Sequence, residues 1–133
     1  MRWSSDEGAC TFRGGAVPIL RIFDLDQALD FDVGFLGFTQ TFRHPFEPGT
    51  PYDLGLVREG VELHLSKHFG DGPPGTHVRV EVDDVAAFCD ALDAKGYRHA
   101  RPRHQDQEWG NREVTIHDPF GNRVPFWQPL PKQ

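Results

Sequence analysis

The chain has 133 residues, of which 38% are hydrophobic and 26% charged, and its formal net charge is −6. This length and composition are typical of one compact globular domain that buries a core without disulfide bonds. The negative charge argues against nucleic-acid binding, because phosphate contacts need a basic face, and it is compatible with a cationic partner. No apolar run approaches the ~20 residues of a membrane span, and the N-terminus lacks a signal-peptide hydrophobic region, so a cytoplasmic protein is expected.

The start of the chain differs in character from the rest. Residues 1–14 are polar and show no periodicity, and we expect them to form a mobile N-terminal tail before a single domain over 15–133. Two cysteines, Cys10 in this tail and Cys89 in a helical pattern, do not make a disulfide framework. Their number fits a protein of a reducing compartment.

The first half of the domain, about 16–66, predicts a strand, a helix and three further strands. The strand is the run "AVPILRIF", and the helix is capped by Asp24 and ends at Gly37. Glu59-Gly60 is typical of a tight hairpin turn. The three later strands are predicted at 38–44, 52–58 and 61–66.

The second half, about 76–128, repeats this order. The run "THVRVEV" (76–82) alternates as a strand does, and Asp83 or Asp84 caps the helix "VAAFCDALDAKG". After a less regular stretch, 97–111, the runs "REVTIHD" and "NRVPFWQ" predict two strands joined by a Pro-Phe-Gly-Asn turn. The same order twice indicates an internal duplication with a period near 60 residues.

Alternation separates an apolar from a polar face on each strand. One helix per half covers one face of a sheet, so the apolar faces are expected to pack under the helices. The polar faces are either solvated or, if the sheets curve toward each other, line one concave cleft. These faces carry Glu62, His64 and Ser66 in the first half and His77, Arg79, Glu81, Glu113, Thr115 and His117 in the second.

Two stretches resemble a known family. "AVPILRIFDLDQALDFDVGFLGF" (16–38) and "DQEWGNREVTIHDPFGNRVPF" (106–126) resemble the vicinal oxygen chelate superfamily of glyoxalases, bleomycin resistance proteins and extradiol dioxygenases, and most closely its bleomycin resistance branch. The second stretch has W-G-x-R-E, D-P-x-G-N and a closing aromatic at the family's spacing. The resemblance spans about 16–128. It implies an α+β fold in which two βαβββ modules form curved mixed sheets around a cleft, with the helices on the outside.

Two residues depart from the family's pattern. Asp32 stands where the family usually has an aromatic residue, and Asn111 adds one residue to the usual W-G-R-E. We interpret the helix run that contains Asp32, together with Asp24, Asp26 and Asp30, as a solvated acidic face.

The resemblance also bears on metal binding. Metal-using members place His, Gln or Glu at four cleft-facing positions, which here are Val17, His64, His77 and Pro125. Val17 and Pro125 cannot ligate, and a catalytic site of this kind normally has three protein ligands and a water. The resemblance therefore implies that the metal has been lost, and we predict no catalytic residue. His64 and His77 remain weak candidates for a divalent metal.

The candidate ligand-binding residues are aromatic or polar. Trp109 follows the polar loop "RHQDQE"; it is either a plain core aromatic or, as the resemblance implies, a ring that stacks on a flat or cationic ligand. The resemblance places ligand-contacting aromatics at Phe42 and Phe46, where core packing is the alternative. The other candidates lie on the polar strand faces: His64, Ser66, His77 and Glu113.

Two functions stay open. The first, which we favour, is a metal-independent protein that sequesters a bulky, cationic, partly aromatic small molecule of the bleomycin type and so gives antibiotic resistance. The second is a lyase, isomerase or thiol transferase of the same superfamily, which would use a divalent metal near His64 and His77 or use these histidines as acid and base. A weaker third is a stress-related binder of another metabolite. The resemblance further implies a homodimer whose clefts form between modules of two chains.

Overall fold

The structure, a computed structural model, describes residues 9–44, 53–68, 70–98 and 100–131. Its helices and strands follow one order twice, with a π-helical segment inserted in the first half. In chain order they are β1 (Ile19–Arg21), α1 (Leu25–Leu29), the π-helical segment (Asp30–Phe35), β2 (Thr39–His44), β3 (Asp53–Arg58), β4 (Val61–Ser66), β5 (Val80–Glu81), α2 (Val85–Ala94), β6 (Gln105–Asp106), β7 (Asn111–His117) and β8 (Arg123–Pro129).

The strands form two four-stranded mixed sheets, with the orders β1-β4-β3-β2 and β5-β8-β7-β6. In each sheet the first strand of the module runs parallel to the last, and the other neighbours are antiparallel. The prediction of two βαβββ modules in an α+β fold is confirmed. The strand missing from the sequence pattern is β6, which lies within the less regular stretch 97–111.

The predicted helix and turn signals act as expected. The Asp24 side chain accepts a hydrogen bond from Gln27 N, and the Asp84 side chain accepts one from Ala87 N, so Asp84 rather than Asp83 is the cap of α2. In the β3–β4 hairpin the Glu59-Gly60 turn has φ values of 49° and 84°, as a tight hairpin turn of the favoured hand requires.

Residues that follow α2 attach the second module to the first. Lys95 Nζ donates a hydrogen bond to Phe35 O at 2.6 Å. The Tyr97 ring stacks on the Phe35 ring with 4.7 Å between centroids, and the Tyr97 hydroxyl donates to Asp30 Oδ2 at 3.0 Å. Apolar residues of both modules form one continuous core.

A buried amide makes a second connection between the modules. Asn122, which is 0% exposed, lies in the turn between β7 and β8. Its Nδ2 donates hydrogen bonds to Arg21 O at 2.9 Å and to Asp118 Oδ2 at 2.8 Å, and its Oδ1 accepts from Thr76 N at 3.1 Å. One side chain thus joins the end of β1, the β7–β8 turn and the segment that leads into β5.

The strand predicted over 76–82 is shorter in the structure. Arg123 N donates to Thr76 O at 2.9 Å, but two residues further along β8 the chain has Pro125, which has no N–H to donate. Regular pairing with β8 therefore resumes only at Val80–Glu81, and His77 forms an isolated bridge with Arg123. Because a proline in an inner strand cannot donate a backbone hydrogen bond, the neighbouring strand β5 is short.

The beginning of the described chain has no regular structure. Residues 9–17 are exposed and form neither helix nor strand, while the first eight residues lie outside the described residues, so the mobile tail stays a prediction. Cys10 and Cys89 are both free thiols, exposed and buried respectively. No described helix is long and apolar enough to span a membrane.

The interpretation of Asp32 as a solvated residue is wrong. Asp32 is 3% exposed and follows Leu25, Ala28 and Leu29 at helical spacings, so it lies on the same face of the helix as these apolar residues. Burial, and secondly the nearby negative charge of Asp118, raises the pKa of Asp32 to about 8. The aromatic residue that the family usually has at this position was a signal that the site is buried.

Replacing Asp32 by asparagine should stabilise the protein increasingly as the pH rises. The unfolded chain releases the Asp32 proton near its ordinary pKa of 3.8, whereas the folded protein keeps it up to a pKa of about 8, so folding is weakened over that interval. We expect the difference in unfolding free energy between Asp32→Asn and the unmodified protein to grow by up to about 1.4 kcal/mol per pH unit between the two pKa values. Urea denaturation at several pH values measures this difference.

The control is Asp26→Asn, which removes the same charge from an exposed position of α1. A difference for Asp32→Asn that stays constant across this pH range, or that matches the difference for Asp26→Asn, would contradict the buried, protonated state of Asp32.

Candidate ligand-binding site

Phe42 and His64 lie side by side on the polar face of the first sheet. The strand register places Ile19, His64, Gly55 and Phe42 in one row across β1, β4, β3 and β2. The Phe42 ring lies across Gly55, where a Cβ atom would be 2.2 Å from the ring, so a residue other than glycine would displace Phe42. The Phe42 and His64 rings meet edge to face with 5.0 Å between centroids. Two of the predicted ligand-binding residues are therefore brought together.

Ser66 lies on the same face but is buried and committed to the loop that follows β4. Its hydroxyl donates a hydrogen bond to Asp71 Oδ2 at 2.9 Å and accepts one from His68 N at 3.1 Å. These bonds hold the loop and leave no accessible hydroxyl, so Ser66 is not available as a ligand contact. Phe46, another predicted contact, lies outside the described residues.

On the second sheet, two side chains donate hydrogen bonds to the carboxylate of Glu113. Trp109 Nε1 donates to Glu113 Oε2 at 2.8 Å, and Arg79 Nη1 donates to Glu113 Oε1 at 3.1 Å. The guanidinium of Arg79 also lies over the Trp127 ring, 5.3 Å from its centroid. We call Arg79, Trp109, Glu113 and Trp127 the Glu113 cluster.

The electrostatics of the Glu113 cluster follow from these bonds. Burial acts to raise the pKa of Glu113, but the hydrogen bonds from Arg79 and then Trp109, with the charge of Arg79, outweigh it, so the pKa is lowered. Glu113 is 8% exposed and is covered mainly by its own donors rather than by deep burial. It is ionised at neutral pH and both of its oxygens are occupied, so it orients Trp109 more readily than it binds a cation directly.

Trp109 itself is an exposed side chain held in a fixed place. It is 67% exposed, so the alternative of a plain core aromatic is wrong. It lies in the β6–β7 turn, where Gln107 N donates to Asn111 O at 2.7 Å and Gly110 has a φ of 92°. The indole N–H is anchored to Glu113 while the ring face remains open. Such a ring can stack on a flat ligand with little loss of side-chain entropy on binding.

The four mapped metal positions do not fit a metal ion in this chain. Val17 and Pro125 offer no ligating atom, and Pro125 pairs with Thr115 in the sheet. His77 is exposed at the bridge with Arg123, on a different sheet from His64. The described part of the chain contains no group of three or more His, Cys, Asp or Glu side chains that could hold a metal. We therefore derive no step that uses a metal.

Sequence reasoning missed two members of the Glu113 cluster, Arg79 and Trp127. Arg79 lies two residues after His77 and directly before β5, so the alternation of the predicted strand 76–82 puts both on the polar face. Trp127 stands directly opposite Glu113 in the β7–β8 register. The alternation of the strands contained both signals, but the pairing partner of Glu113 depends on a register that a single strand does not reveal.

The Phe42–His64 pair and the Glu113 cluster form two separate sets. Among the described residues, no hydrogen bond, ion pair or ring contact joins one set to the other. None of the three cavities described in the chain is lined by Phe42, His64, Trp109 or Glu113. Each set is thus an open polar sheet face within one chain.

Comparison with known proteins identifies the family. A family model described as "Glyoxalase superfamily protein" matches residues 6–130. The chain belongs to the glyoxalase superfamily. This membership confirms the resemblance seen in the sequence and accounts for the duplicated βαβββ modules.

Individual members of the glyoxalase superfamily include an enzyme and binding proteins. A lactoylglutathione lyase of Haemophilus influenzae is 25% identical over 118 residues, covering 81% of this chain and 87% of the relative. The structure of a bleomycin-binding protein complexed with bleomycin is 26% identical with a TM-score of 0.66, over 87% of this chain and 98% of that one. A bleomycin-binding protein from Streptomyces verticillus, complexed with copper(II)-bleomycin, is 26% identical with a TM-score of 0.65, over 92% of this chain and all of that one (100%).

Replacing Glu113 by glutamine should release the Trp109 indole. Glutamine loses the charge that strengthens the hydrogen bond from Trp109 Nε1. We expect the Trp109 indole N–H resonance to move upfield in NMR spectra and to exchange faster with solvent. In the unmodified protein the lowered pKa of Glu113 should keep this resonance unchanged on acidification until the pH falls below the ordinary glutamate value of 4.5.

Glu62→Gln is the matched control, because Glu62 is an exposed glutamate of β4 on the other sheet. An indole resonance that is the same in Glu113→Gln and in the unmodified protein would show that Glu113 does not hold Trp109.

Proposed function

We propose that the chain sequesters a bulky small molecule with flat aromatic rings and cationic groups, of the bleomycin type. The observation that carries the proposal is the Trp109 ring, which is 67% exposed yet anchored through its indole N–H to Glu113. Stacking on such a ring adds to the free energy gained from burying apolar area. The bleomycin-bound structures of two superfamily members support the choice of ligand class.

Phe42 provides a second aromatic surface for the same kind of ligand. It lies across Gly55, with one edge against His64, so its position is fixed by the sheet. The His64 ring and the exposed His77 offer hydrogen-bonding groups on the two sheet faces. Together with Trp109 these residues provide flat apolar contacts and a few polar groups, which is the usual composition of a small-molecule site.

A cationic ligand would bind at a site where the Glu113 carboxylate is already paired with Arg79. Glu113 is neutralised by Arg79, so ion pairing with this carboxylate does not hold the ligand. The ring face of Trp109 attracts cations through its quadrupole without a formal charge.

The proposed cleft forms between two copies of the chain. Within one chain the Phe42–His64 pair and the Glu113 cluster lie on different sheets and do not touch. A homodimer would let the polar face of the first sheet of one copy oppose the polar face of the second sheet of the other. Size-exclusion chromatography with light scattering should give the mass of a dimer at micromolar concentration, and the mass of a monomer would count against this arrangement.

Removing the Trp109 ring should weaken ligand binding and leave the fold intact. We expect Trp109→Ala to cost roughly 1–3 kcal/mol of bleomycin binding, by analogy with stacking on aromatic rings, which is a rise in Kd of about five- to 150-fold. Isothermal titration calorimetry with bleomycin measures this loss. The melting temperature should change little, because an exposed ring contributes little to the core.

Phe12→Ala is the control for this titration, since Phe12 is 85% exposed in the segment before β1 and belongs to neither set. A Trp109→Ala protein that melts much earlier but binds bleomycin with unchanged affinity would show that Trp109 is a packing residue. An unmodified protein that does not bind bleomycin would contradict the ligand class.

A lyase that uses a divalent metal is the second candidate function. It is favoured by the similarity to a lactoylglutathione lyase. Metal analysis of protein purified without chelators separates the two candidates. One divalent ion per chain, bound through His64 and His77 and lost in His64→Ala, would replace the sequestration proposal.

A further inference from the structure

A cavity lies on the helix side of the molecule, away from the polar sheet faces. Its volume is about 420 Å³, within the range of sites that bind small molecules. It opens between the β3–β4 hairpin of the first module and β5 and α2 of the second. Its apolar wall consists of Leu36, Phe38, Val61, Val80, Phe88 and Phe126.

The rim of this cavity is strongly acidic. Three exposed carboxylates, those of Glu59, Asp83 and Asp84, line it together with one cation among the described residues, Arg58. Glu81 also lines the cavity, but the strand register places its side chain on the polar sheet face with Trp127. Because like charges concentrated beside an apolar wall raise the local concentration of counter-ions, the rim attracts positively charged molecules.

The one cation at the rim does not balance these carboxylates. Arg58 donates hydrogen bonds to Leu36 O and to Glu59 Oε1, and its guanidinium lies over the Phe88 ring, 5.4 Å from the centroid. It is therefore held on one side of the cavity. The carboxylate of Asp83 has no hydrogen-bond or ion-pair partner among the described residues, and that of Asp84 accepts a hydrogen bond from Ala87 N.

We propose that this cavity binds a lipophilic organic cation, such as an arylalkylammonium ion. The apolar body of the ligand fills the space against the Phe88 and Phe126 rings, and the ammonium group lies at the rim beside Asp83 and Asp84. An anion is repelled by the rim, and a neutral molecule gains only the apolar contacts. None of the lining residues belongs to the Phe42–His64 pair or the Glu113 cluster, so this site is separate from the proposed bleomycin-type cleft.

The test uses three probes of the same shape and different charge. They are 4-phenylbutylammonium, the uncharged 4-phenylbutan-1-ol and the anion 4-phenylbutanoate, each titrated into full-length protein with labelled alanine methyl groups. Ala87 and Ala91 line the cavity from α2, so their methyl resonances locate the bound probe. We expect saturable shifts with the cation, at least tenfold weaker binding of the alcohol and no saturable shift with the anion.

Variants separate recognition of charge from filling of the cavity. Asp83→Asn combined with Asp84→Asn, which keeps a side chain that can cap α2, should weaken binding of 4-phenylbutylammonium at least fivefold, whereas Glu62→Gln, outside the cavity, should not. Ala91→Leu should abolish binding by filling the space, and because leucine is a strong helix former, circular dichroism should show the fold unchanged. Trp109→Ala should bind the cation as the unmodified protein does.

Several results would overturn the proposal. They are the absence of saturable shifts at Ala87 and Ala91, equal affinity for the cation and the alcohol, and unchanged binding in a folded Ala91→Leu variant. A loss of binding in Trp109→Ala would place the cation in the bleomycin-type cleft instead.

Discussion

The buried amide of Asn122 is the interaction on which the placement of both sheets depends. Its three side-chain hydrogen bonds reach the end of β1, the β7–β8 turn and the segment before β5. A buried donor or acceptor that loses its partner costs about 1–3 kcal/mol, so each bond strongly favours a single arrangement. Because β1 belongs to the first sheet and β8 to the second, this one side chain helps to fix the direction in which the Phe42–His64 pair and the Glu113 cluster face.

Much of the fold could be predicted from the sequence because its signals are local. The caps Asp24 and Asp84 and the Glu59-Gly60 turn act within a few residues, and alternation put His64 and Glu113 on the polar faces. Other features depend on partners that are distant in sequence. The strand at 76–82 is shortened by Pro125, and Glu113 meets Arg79 only through the register of two strands. Asp32 is a different case. Its helical spacing from apolar residues already predicted burial, but the run of aspartates around it favoured a solvated face.

The carboxylates of this protein lie in three settings, and each setting suits a different role. Glu113 is surrounded by donors that keep it ionised and turn it into a support for Trp109. Asp32 is enclosed among apolar residues beside Asp118, so its proton is retained. Asp83 faces solvent at the edge of an apolar cavity. The net charge of −6 therefore says little about where a cation binds; the donors and apolar surface around each carboxylate decide it.

Pro125 also affects how easily a metal site could arise in this chain. At this position one substitution changes two properties, since glutamate there would supply both a carboxylate on the polar face and the N–H that the β5–β8 ladder lacks. The additional backbone hydrogen bond would thus favour the substitution of Pro125 by glutamate. Val17 lies outside the strands and is 37% exposed, so a histidine there would bring no such structural gain. The two mapped positions that lack a ligand are therefore unequal, and only at position 125 would selection for stability and selection for metal binding act in the same direction.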